Sequence, residues 1–335
     1  MALLSRLRPD NFTIALVIVV VLATFLPAKG EAVPVLGVVT KLAIALLFFL
    51  HGARLSREAV IAGMTHWRLH VLVLASTYVL FPLLGLAIQH GLAGLLPAAL
   101  LSGILFLCLL PSTVQSSIAF TSIAGGNVAA AVCSASASNL LGVFLTPALV
   151  AALMHLSGGV SFSAVGSILL QLFLPFIVGH LLRPWIGGWV GRHRRLVGLV
   201  DRGSILLVVY SAFGEAVVNG LWHQLGALDL VVVALVCGAL LAAVLAVTTY
   251  GSRWFGFSRP DEIAIVFCGS KKSLASGIPM ASVLLPPAAV GVLVLPLMIF
   301  HQIQLMVCAV LARRYAEMTA PAPEIAEIGP AAPAK

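Results

Sequence analysis

The chain has 335 residues, of which 61% are hydrophobic and 9% are charged. A soluble domain is about 45–50% apolar and about 25% charged, so this composition excludes an ordinary water-soluble protein. The net charge of +8 indicates orientation in a membrane rather than nucleic-acid binding, because the cations fall in short segments between apolar runs. All five cysteines lie inside apolar runs, without a CxxC pair or a Cys/His cluster, and predict neither disulfides nor a metal site.

Long apolar runs predict ten transmembrane helices, because a span needs about 20 apolar residues and must satisfy its own backbone in lipid. Helices 1 to 5 are predicted at 11–27, 33–51, 67–89, 97–122 and 127–153, and helices 6 to 10 at 161–183, 203–221, 228–250, 261–285 and 287–311. The first run follows Arg6 and Arg8 and also fits a signal peptide. It lacks a clean small-x-small cleavage site, which favours a retained helix.

The distribution of Lys and Arg predicts the orientation of the chain. With a cytoplasmic N-terminus, the cytoplasmic segments carry Arg6, Arg8, Arg54, Arg57, Arg68, Arg183, Arg192, Arg194, Arg195, Arg202, Arg253, Arg259, Arg313, Arg314 and Lys335. The outer loops carry only Lys29, and Lys41, Lys271 and Lys272 lie within helices. This positive-inside bias predicts a multi-pass protein of the inner (cytoplasmic) membrane with both termini in the cytoplasm.

The basic stretch 183–202 divides the chain into two groups of five helices. An odd number of helices per group makes the two groups cross in opposite directions, a common plan for secondary transporters. The expected regions are a cytoplasmic N-terminus (1–10), a first five-helix repeat (11–153), a connection with helix 6 and a basic loop (154–202), a second repeat (161–311) and a cytoplasmic tail (318–335). The Ala, Pro and Glu content of the tail predicts disorder.

Polar residues within spans are informative because burying them in lipid costs free energy. The first group lies in helices 4 and 5, where Pro111 is expected to break helix 4 and to free backbone groups for a ligand. Packing through small residues is the alternative explanation, but Gln115 and Asn127 are too large for it. The candidate solute- or ion-binding residues of this group are Thr113, Gln115, Ser116, Ser117, Asn127, Ser134 and Ser138.

The second group is Lys271, Lys272 and Ser273 in helix 9. A lysine at the centre of a span costs about 2.5–3.5 kcal/mol, and two neighbours also repel each other. Gly269 and Pro279 indicate an interruption of the helix around them. Snorkelling to the interface is the alternative, and the depth of both lysines argues against it.

Three further positions are weaker candidates. Glu215 in helix 7 is either a partner for a lysine or a helix-end residue. His301 and Gln304 in helix 10 share a face and belong either to the site or to the packed core. Lys41 in helix 2 either lies on a solute pathway or reaches water. Enzyme motifs such as GxSxG, HExxH and phosphate loops are absent from the sequence, so no catalytic residues are expected.

Six short motifs carry a family resemblance: residues 49–55 (FLHGARL), 125–131 (GGNVAAA), 145–147 (LTP), 171–175 (QLFLP), 271–279 (KKSLASGIP) and 301–304 (HQIQ). Through them the chain resembles the SBF-like bile acid:sodium symporter superfamily, in the branch of solute carrier family 10 member 7 and the bacterial YfeH-type proteins. The resemblance extends over about residues 10–312.

The resemblance implies an all-α integral membrane fold of ten helices in two inverted five-helix repeats, with helices 4 and 9 discontinuous and crossing. It also implies a panel of helices 1, 2, 6 and 7 beside a core of the other six. Sodium-coupled members ligate sodium with a glutamate and a Gln-Asn-Ser run in helix 9, which Lys271-Lys272-Ser273 replaces here. This departure argues against the usual sodium coupling and against bile acid as the solute.

The main hypothesis is a secondary active transporter that moves a small anionic organic solute by alternating access, without a cofactor. The coupling ion is either the proton or sodium, and a buried lysine could release a proton because burial disfavours its charged form. The alternative is a weakly transporting membrane regulator of calcium homeostasis, since relatives of this branch are linked to calcium handling. The expected partners are a solute and the lipid bilayer, without nucleic acid. Whether the protein also forms a homodimer is left open.

Overall fold

The computed structural model describes residues 11–54, 66–154 and 162–319, and all regular structure in these ranges is helical. The helices are α1 (Asn11–Phe25), α2 (Ala32–Arg54), α3 (Trp67–Ala75), α4 (Phe81–Gly91), α5 (Ala98–Leu109), α6 (Gln115–Ile123), α7 (Val128–Leu153), α8 (Phe162–Arg192), α9 (Arg194–Val218), α10 (Leu221–Gln224), α11 (Ala227–Trp254), α12 (Arg259–Gly269), α13 (Leu274–Leu284) and α14 (Pro287–Thr319). A π-helical turn, Ser76–Leu80, joins α3 to α4. The predicted N-terminal segment 1–10 and residues 320–335 of the predicted tail lie outside the described residues.

The described helices have the length and surface of membrane spans. Six are long and apolar enough to cross a bilayer: Ala32–Arg54, Trp67–Gly91, Val128–Leu153, Arg194–Val218, Ala227–Trp254 and Pro287–Met318. Large apolar side chains are exposed on their outer faces; Leu42 is 65% exposed and Leu235 is 68% exposed. Such a surface is stable only in lipid, so the fold is that of an all-helical, multi-pass membrane protein, as the composition predicts.

The helices pack in two groups. The panel consists of α1, α2, α8 and α9, in which α2 packs along α8 and α1 packs along α9. The core consists of α3 to α7 and α11 to α14, in which α5 packs on α4 and α14, and α12 packs on α7 and α11. The two groups meet where α9 contacts α13 and α14 and where α8 contacts α7.

The closest approach within the panel is between α2 and α8. A Cβ atom added to Gly52 would lie 2.0 Å from the carbonyl oxygen of Phe176, and one added to Gly179 would lie 2.0 Å from that of Phe49. Each helix therefore places a glycine against the backbone of the other, a contact that only the smallest residues allow in membranes. Backbone contact therefore holds α2 and α8 of the panel together.

The structure corrects two predicted boundaries. The stretch 183–202, predicted as a basic loop, is helical apart from a break at His193, so the seventh predicted helix begins at Arg194 rather than at 203. Val190 and Val197 from this stretch are buried in one cluster with Leu50 and Ala53, which gives it an apolar face. The tenth helix also continues beyond 311 to Thr319 because Ala312 and Tyr315 are buried against the core, and it includes the first two residues of the predicted tail.

Two predicted spans are interrupted at their middle, as expected. The fourth becomes α5 and α6, separated by residues 110–114, and the ninth becomes α12 and α13, separated by residues 270–273. Pro111 explains the first break because its ring clashes with the preceding turn and it has no N–H to donate. At the second break, the hydroxyl of Ser273 accepts a hydrogen bond from the backbone N–H of Ser276 and caps α13.

The glycine contact can be tested by Gly52→Ala, with Gly37→Ala in the same helix as the matched control. The first substitution places a methyl group 2.0 Å from Phe176 O, whereas a Cβ at Gly37 meets nothing within 4 Å. We expect Gly52→Ala to destabilise the protein by about 1–3 kcal/mol and Gly37→Ala to be neutral or stabilising. Thermal unfolding in detergent measures this, and equal melting temperatures for the two variants would contradict it.

Candidate functional site

The two helix breaks lie directly against each other. The backbone N–H of Ser273 in the second break donates to the carbonyl of Pro111 in the first, at 2.9 Å. The hydroxyl of Ser112 in turn donates to the carbonyl of Cys268 at the end of α12. The polar segments that the sequence singles out separately are therefore one site in the middle of the core.

Breaking α5 frees its last carbonyls, and those of Cys108, Leu109 and Leu110 receive donors from elsewhere in the chain. Lys272 Nζ donates to the carbonyls of Cys108, at 2.9 Å, and Leu110, at 2.7 Å. The hydroxyl of Thr146 donates to the carbonyl of Leu109, at 2.8 Å. A buried carbonyl without a donor costs free energy, so these bonds are what allows α5 to end inside the protein.

Lys272 has a third acceptor on the π-helical turn, the carbonyl of Thr77 at 2.8 Å. In this turn the N–H of Phe81 donates to the carbonyl of Ser76, five residues earlier. By the same spacing, the carbonyl of Thr77 would accept the N–H of residue 82. Residue 82 is a proline and has no N–H, which leaves the carbonyl of Thr77 free. All three donors of the fully buried Lys272 ammonium are thereby satisfied.

Serine hydroxyls satisfy the end of α12 in the same way. The hydroxyl of Ser117 donates to the carbonyl of Phe267, at 2.8 Å, and that of Ser76 donates to the carbonyl of Gly269, at 2.9 Å. Ser138 supports the other break because its hydroxyl accepts the backbone N–H of Ser112, at 3.1 Å. Ser117 and Ser138 are both fully buried, so they hold the breaks in shape.

Lys271 points away from Lys272 into a different environment. Its Nζ lies 4.1 Å from the ring centroid of Phe120 and 5.4 Å from that of Phe267. Within the described ranges this buried amine has no hydrogen-bond acceptor. Two adjacent lysines thus differ: one is fully bonded, and the other is enclosed by aromatic rings.

Gln304 fixes the backbone of the second break. Its Oε1 accepts the N–H of Lys272 and its Nε2 donates to the carbonyl of Lys272, both at 2.9 Å. Its Nε2 also lies 2.9 Å from Nδ1 of His301. Gln304 is buried, whereas His301 reaches the cavity described next.

A cavity of about 1000 Å³ lies between the panel and the core. Its deep end contains the starts of α6 and α13, where the first N–H groups of a helix have no intrahelical acceptor. Its polar deep lining consists of Thr113, Gln115, Ser116, Ser136, Asn139, Ser273, Ser276 and His301. Two helix N-termini, each with a partial positive charge, therefore converge on hydroxyl and amide groups at this end.

The other end of the cavity is cationic. Its lining includes Arg54, Arg183, Arg194 and Arg202, together with a single acid, Asp201. Arg54 Nη1 pairs with Asp201 Oδ2 at 2.5 Å, which neutralises that acid. The cavity as a whole therefore favours a negatively charged occupant.

The structure places the sequence-derived candidates in three groups. Thr113, Gln115, Ser116, Ser273 and His301 line the cavity. Ser117, Ser138, Lys272 and Gln304 stabilise the breaks from behind it. Lys271, Asn127, Ser134 and Glu215 do not line it.

The last three of these residues have local explanations. Asn127 caps α7 by accepting the N–H of Ala130 and donates to Asp261, at 2.7 Å. The hydroxyl of Ser134 lies 2.6 Å from Nδ1 of His70. Glu215 is exposed in the last turn of α9 and has no ion pair among the described residues, which agrees with a helix-end position rather than with a partner for a lysine.

Sequence reasoning missed the panel side of the cavity. His51 of α2 and His180 of α8 line it, and on the core side Asn139 of α7 lines the cavity and accepts a hydrogen bond from the hydroxyl of Ser276 at 2.7 Å. The HGAR motif at 51–54 was a usable signal, because it places a histidine and an arginine at the end of an apolar helix. Asn139 does have a signal, because it belongs to the same polar run of helix 5 as Ser134 and Ser138. His180 has none, since it is a single polar residue in an apolar run.

The two lysines allow a sharp stability test. Lys272→Met removes the donor of three buried carbonyls, each of which costs about 1–3 kcal/mol when left unsatisfied, so we expect a large drop in melting temperature. Lys271→Met loses no hydrogen bond, and methionine still packs against Phe120, so we expect no drop or a small rise. Lys41→Met, at an exposed lysine of α2, is the control. Equal decreases in melting temperature for Lys271→Met and Lys272→Met would contradict the conclusion that only Lys272 stabilises the fold.

Comparison with known proteins agrees with the geometry. The model of the SBF-like CPA transporter family matches residues 10–317. An uncharacterized protein of Pseudomonas aeruginosa is 61% identical over 313 residues, which cover 93% of this chain and 94% of the relative. The candidate symporter YfeH of Escherichia coli is 59% identical over 311 residues, which cover 92% and 94%. The sodium/bile acid cotransporter 7-B of Xenopus laevis is 30% identical over 320 residues, which cover 93% of each chain. The chain therefore belongs to the SBF-like CPA transporter family, a family of membrane transporters.

Proposed function

We propose that this protein is a secondary active transporter of a small organic anion. The observation that carries the proposal is the cavity between panel and core, whose deep end contains two helix N-termini and whose other end contains four arginines and one paired acid. Helix N-termini and arginines both favour anions. A volume of about 1000 Å³ suits a metabolite-sized solute.

The architecture that we propose is ten spans in two inverted five-helix repeats, with α3 and α4 forming one span and the pairs α5/α6 and α12/α13 one broken span each. Matching contacts support it: α1 on α9 corresponds to α8 on α2, and α5 on α14 corresponds to α12 on α7. The arginines of the cavity belong to the side that the charge distribution assigns to the cytoplasm. In the proposed orientation, the arginine end of the cavity faces the cytoplasm.

Alternating access follows from the packing. The panel is locked by the glycine contacts of α2 and α8, while the core is tied together by hydrogen bonds across the two breaks. The cavity occupies part of the surface between panel and core, so this interface is incompletely packed. Movement of the core against the panel would expose the breaks to the opposite side of the membrane.

The coupling ion that we propose is the proton rather than sodium. The ammonium of Lys272 already occupies a cluster of three carbonyls, as a bound cation would. Lys271 faces Phe120 of α6 and Phe267 of α12. A buried ammonium without an acceptor is costly, so proton release from Lys271 is favoured while the site is closed to water.

The solute site is tested by solid-supported membrane electrophysiology on proteoliposomes. Addition of carboxylates, sulfonates and phosphate monoesters is expected to evoke currents. Ser116→Ala and Gln115→Ala should raise the half-saturating concentration about tenfold, because each removes a hydrogen bond to an anion. Ser122→Ala, on the same helix but outside the cavity, and Gln89→Ala in α4 are the controls.

Currents from organic cations alone would contradict an anionic solute. Absence of flux with every solute would favour the regulatory alternative.

The coupling proposal is tested with Lys271→Met. Uptake driven by an imposed pH gradient, with choline in place of sodium, is expected to fall to the rate of passive leak in this variant. Lys41→Met should retain the wild-type rate. Proton-driven accumulation by Lys271→Met would exclude Lys271 from the coupling mechanism. A requirement for sodium in the wild type would exclude the proton as the coupling ion.

A further inference from the structure

A second concave surface lies on the membrane-facing side of the core, between α11 and α14, with a volume of about 610 Å³. One wall contains Ala246, Tyr250 and Arg253 of α11, and the other contains Val307, Val310 and Arg314 of α14. These positions repeat every three or four residues and therefore form one face of each helix. We call this surface the α11/α14 groove.

The two walls run in the same direction, so both arginines lie at one end. Near one end of the pair, Cys237 Sγ lies 3.6 Å from the carbonyl of Pro296. At the other end, Arg253 and Tyr315 both bond to Glu262, at 3.0 Å. The groove thus has an apolar part and an arginine end, separated by about 10 Å along the helices.

Aromatic residues mark the arginine end as the membrane–water interface. Trp254, which follows Arg253, is 90% exposed, and Tyr250 is 69% exposed. Exposed Trp and Tyr at helix ends are typical of the lipid headgroup level. The apolar part of the groove therefore lies at the depth of acyl chains, and its arginines lie at the depth of lipid phosphates.

The charge at this end is only partly compensated. Glu262 pairs with Arg253 and also with Arg259, so one carboxylate serves two guanidinium groups. Arg314 has no hydrogen bond or ion pair among the residues that the structure describes, although Glu317 lies one turn further along α14. A free guanidinium beside an apolar trough is complementary to a phosphate that carries an acyl chain.

We propose that the α11/α14 groove binds an anionic glycerophospholipid of the phosphatidylglycerol class. An acyl chain lies between Ala246 and Val310, and the phosphate contacts Arg314 and the remaining N–H groups of Arg253. A second copy of this chain fits less well, because a two-fold contact centred on the groove would bring the arginine ends of both copies together.

The experiment uses delipidated full-length protein and compares dioleoylphosphatidylglycerol with dioleoylphosphatidylcholine and with glycerol 3-phosphate. Thermal stabilisation and native mass spectrometry measure binding. Phosphatidylglycerol is expected to stabilise the wild type and to remain bound, whereas the other two probes are not. Equal stabilisation by phosphatidylcholine would overturn selectivity for an anionic lipid, and saturation by glycerol 3-phosphate would assign the site to a free phosphate.

Arg314→Gln is the decisive variant, with Arg313→Gln as the matched control because Arg313 is exposed but does not line the groove. Loss of one arginine contact is expected to weaken phosphatidylglycerol binding about fivefold, and Arg314→Lys should restore most of it. Equal binding by Arg314→Gln and Arg313→Gln would overturn the proposal.

A second pair of variants tests the apolar part. Val310→Trp fills the trough and should abolish lipid stabilisation with both arginines intact, whereas Val247→Trp, exposed on α11 outside the groove, should not. Unchanged binding by Val310→Trp would place the lipid elsewhere. A dimer that dissociates on Val310→Trp, seen by light scattering, would assign the groove to a second copy instead.

Discussion

The structure depends on one constraint: a helix that ends inside a membrane protein must find donors for its last carbonyls. α5 ends at Leu109 because of Pro111, and the donors come from elsewhere in the chain. Lys272 supplies most of them, and reaching the carbonyls of Thr77, Cys108 and Leu110 requires the second break to lie beside the first. The two interruptions are therefore energetically interdependent, and their common product is a polar floor that opens into a cavity.

The adjacent lysines of one sequence motif have different surroundings, and only Lys272 is bonded to the fold. Lys271 and Lys272 lie in the break between α12 and α13, and their side chains face different environments. Lys272 acts as a fixed cation at the negative end of α5, where other transporters can use a metal ion. Lys271 makes no hydrogen bond that the fold needs. The free energy that burying its amine costs is explained if transport requires this lysine.

The sequence predicted the large features because their physics is local. Apolar runs locate the spans, and Pro111 and Gly269 locate the breaks. It did not show that Asn127 and Ser134 lie away from the cavity, because one sequence cannot distinguish a helix cap or a buried hydroxyl pair from a ligand contact. It also missed His180 in the cavity, since which face of an apolar helix meets the other group depends on tertiary packing. The prediction of a loop at 183–202 was wrong for the same reason, because the buried face of this stretch exists only beside α2.

The π-helical turn at Ser76–Leu80 has a consequence for how this family can vary. A π turn is equivalent to one extra residue in an α-helix. Deleting that residue would regularise the span but rotate the carbonyl of Thr77 by about 100° and turn it away from Lys272. The length of the segment between Trp67 and Gly91 is thus fixed by the amine of Lys272 in the break between α12 and α13, even where side chains such as Val79 face lipid and are themselves free to change.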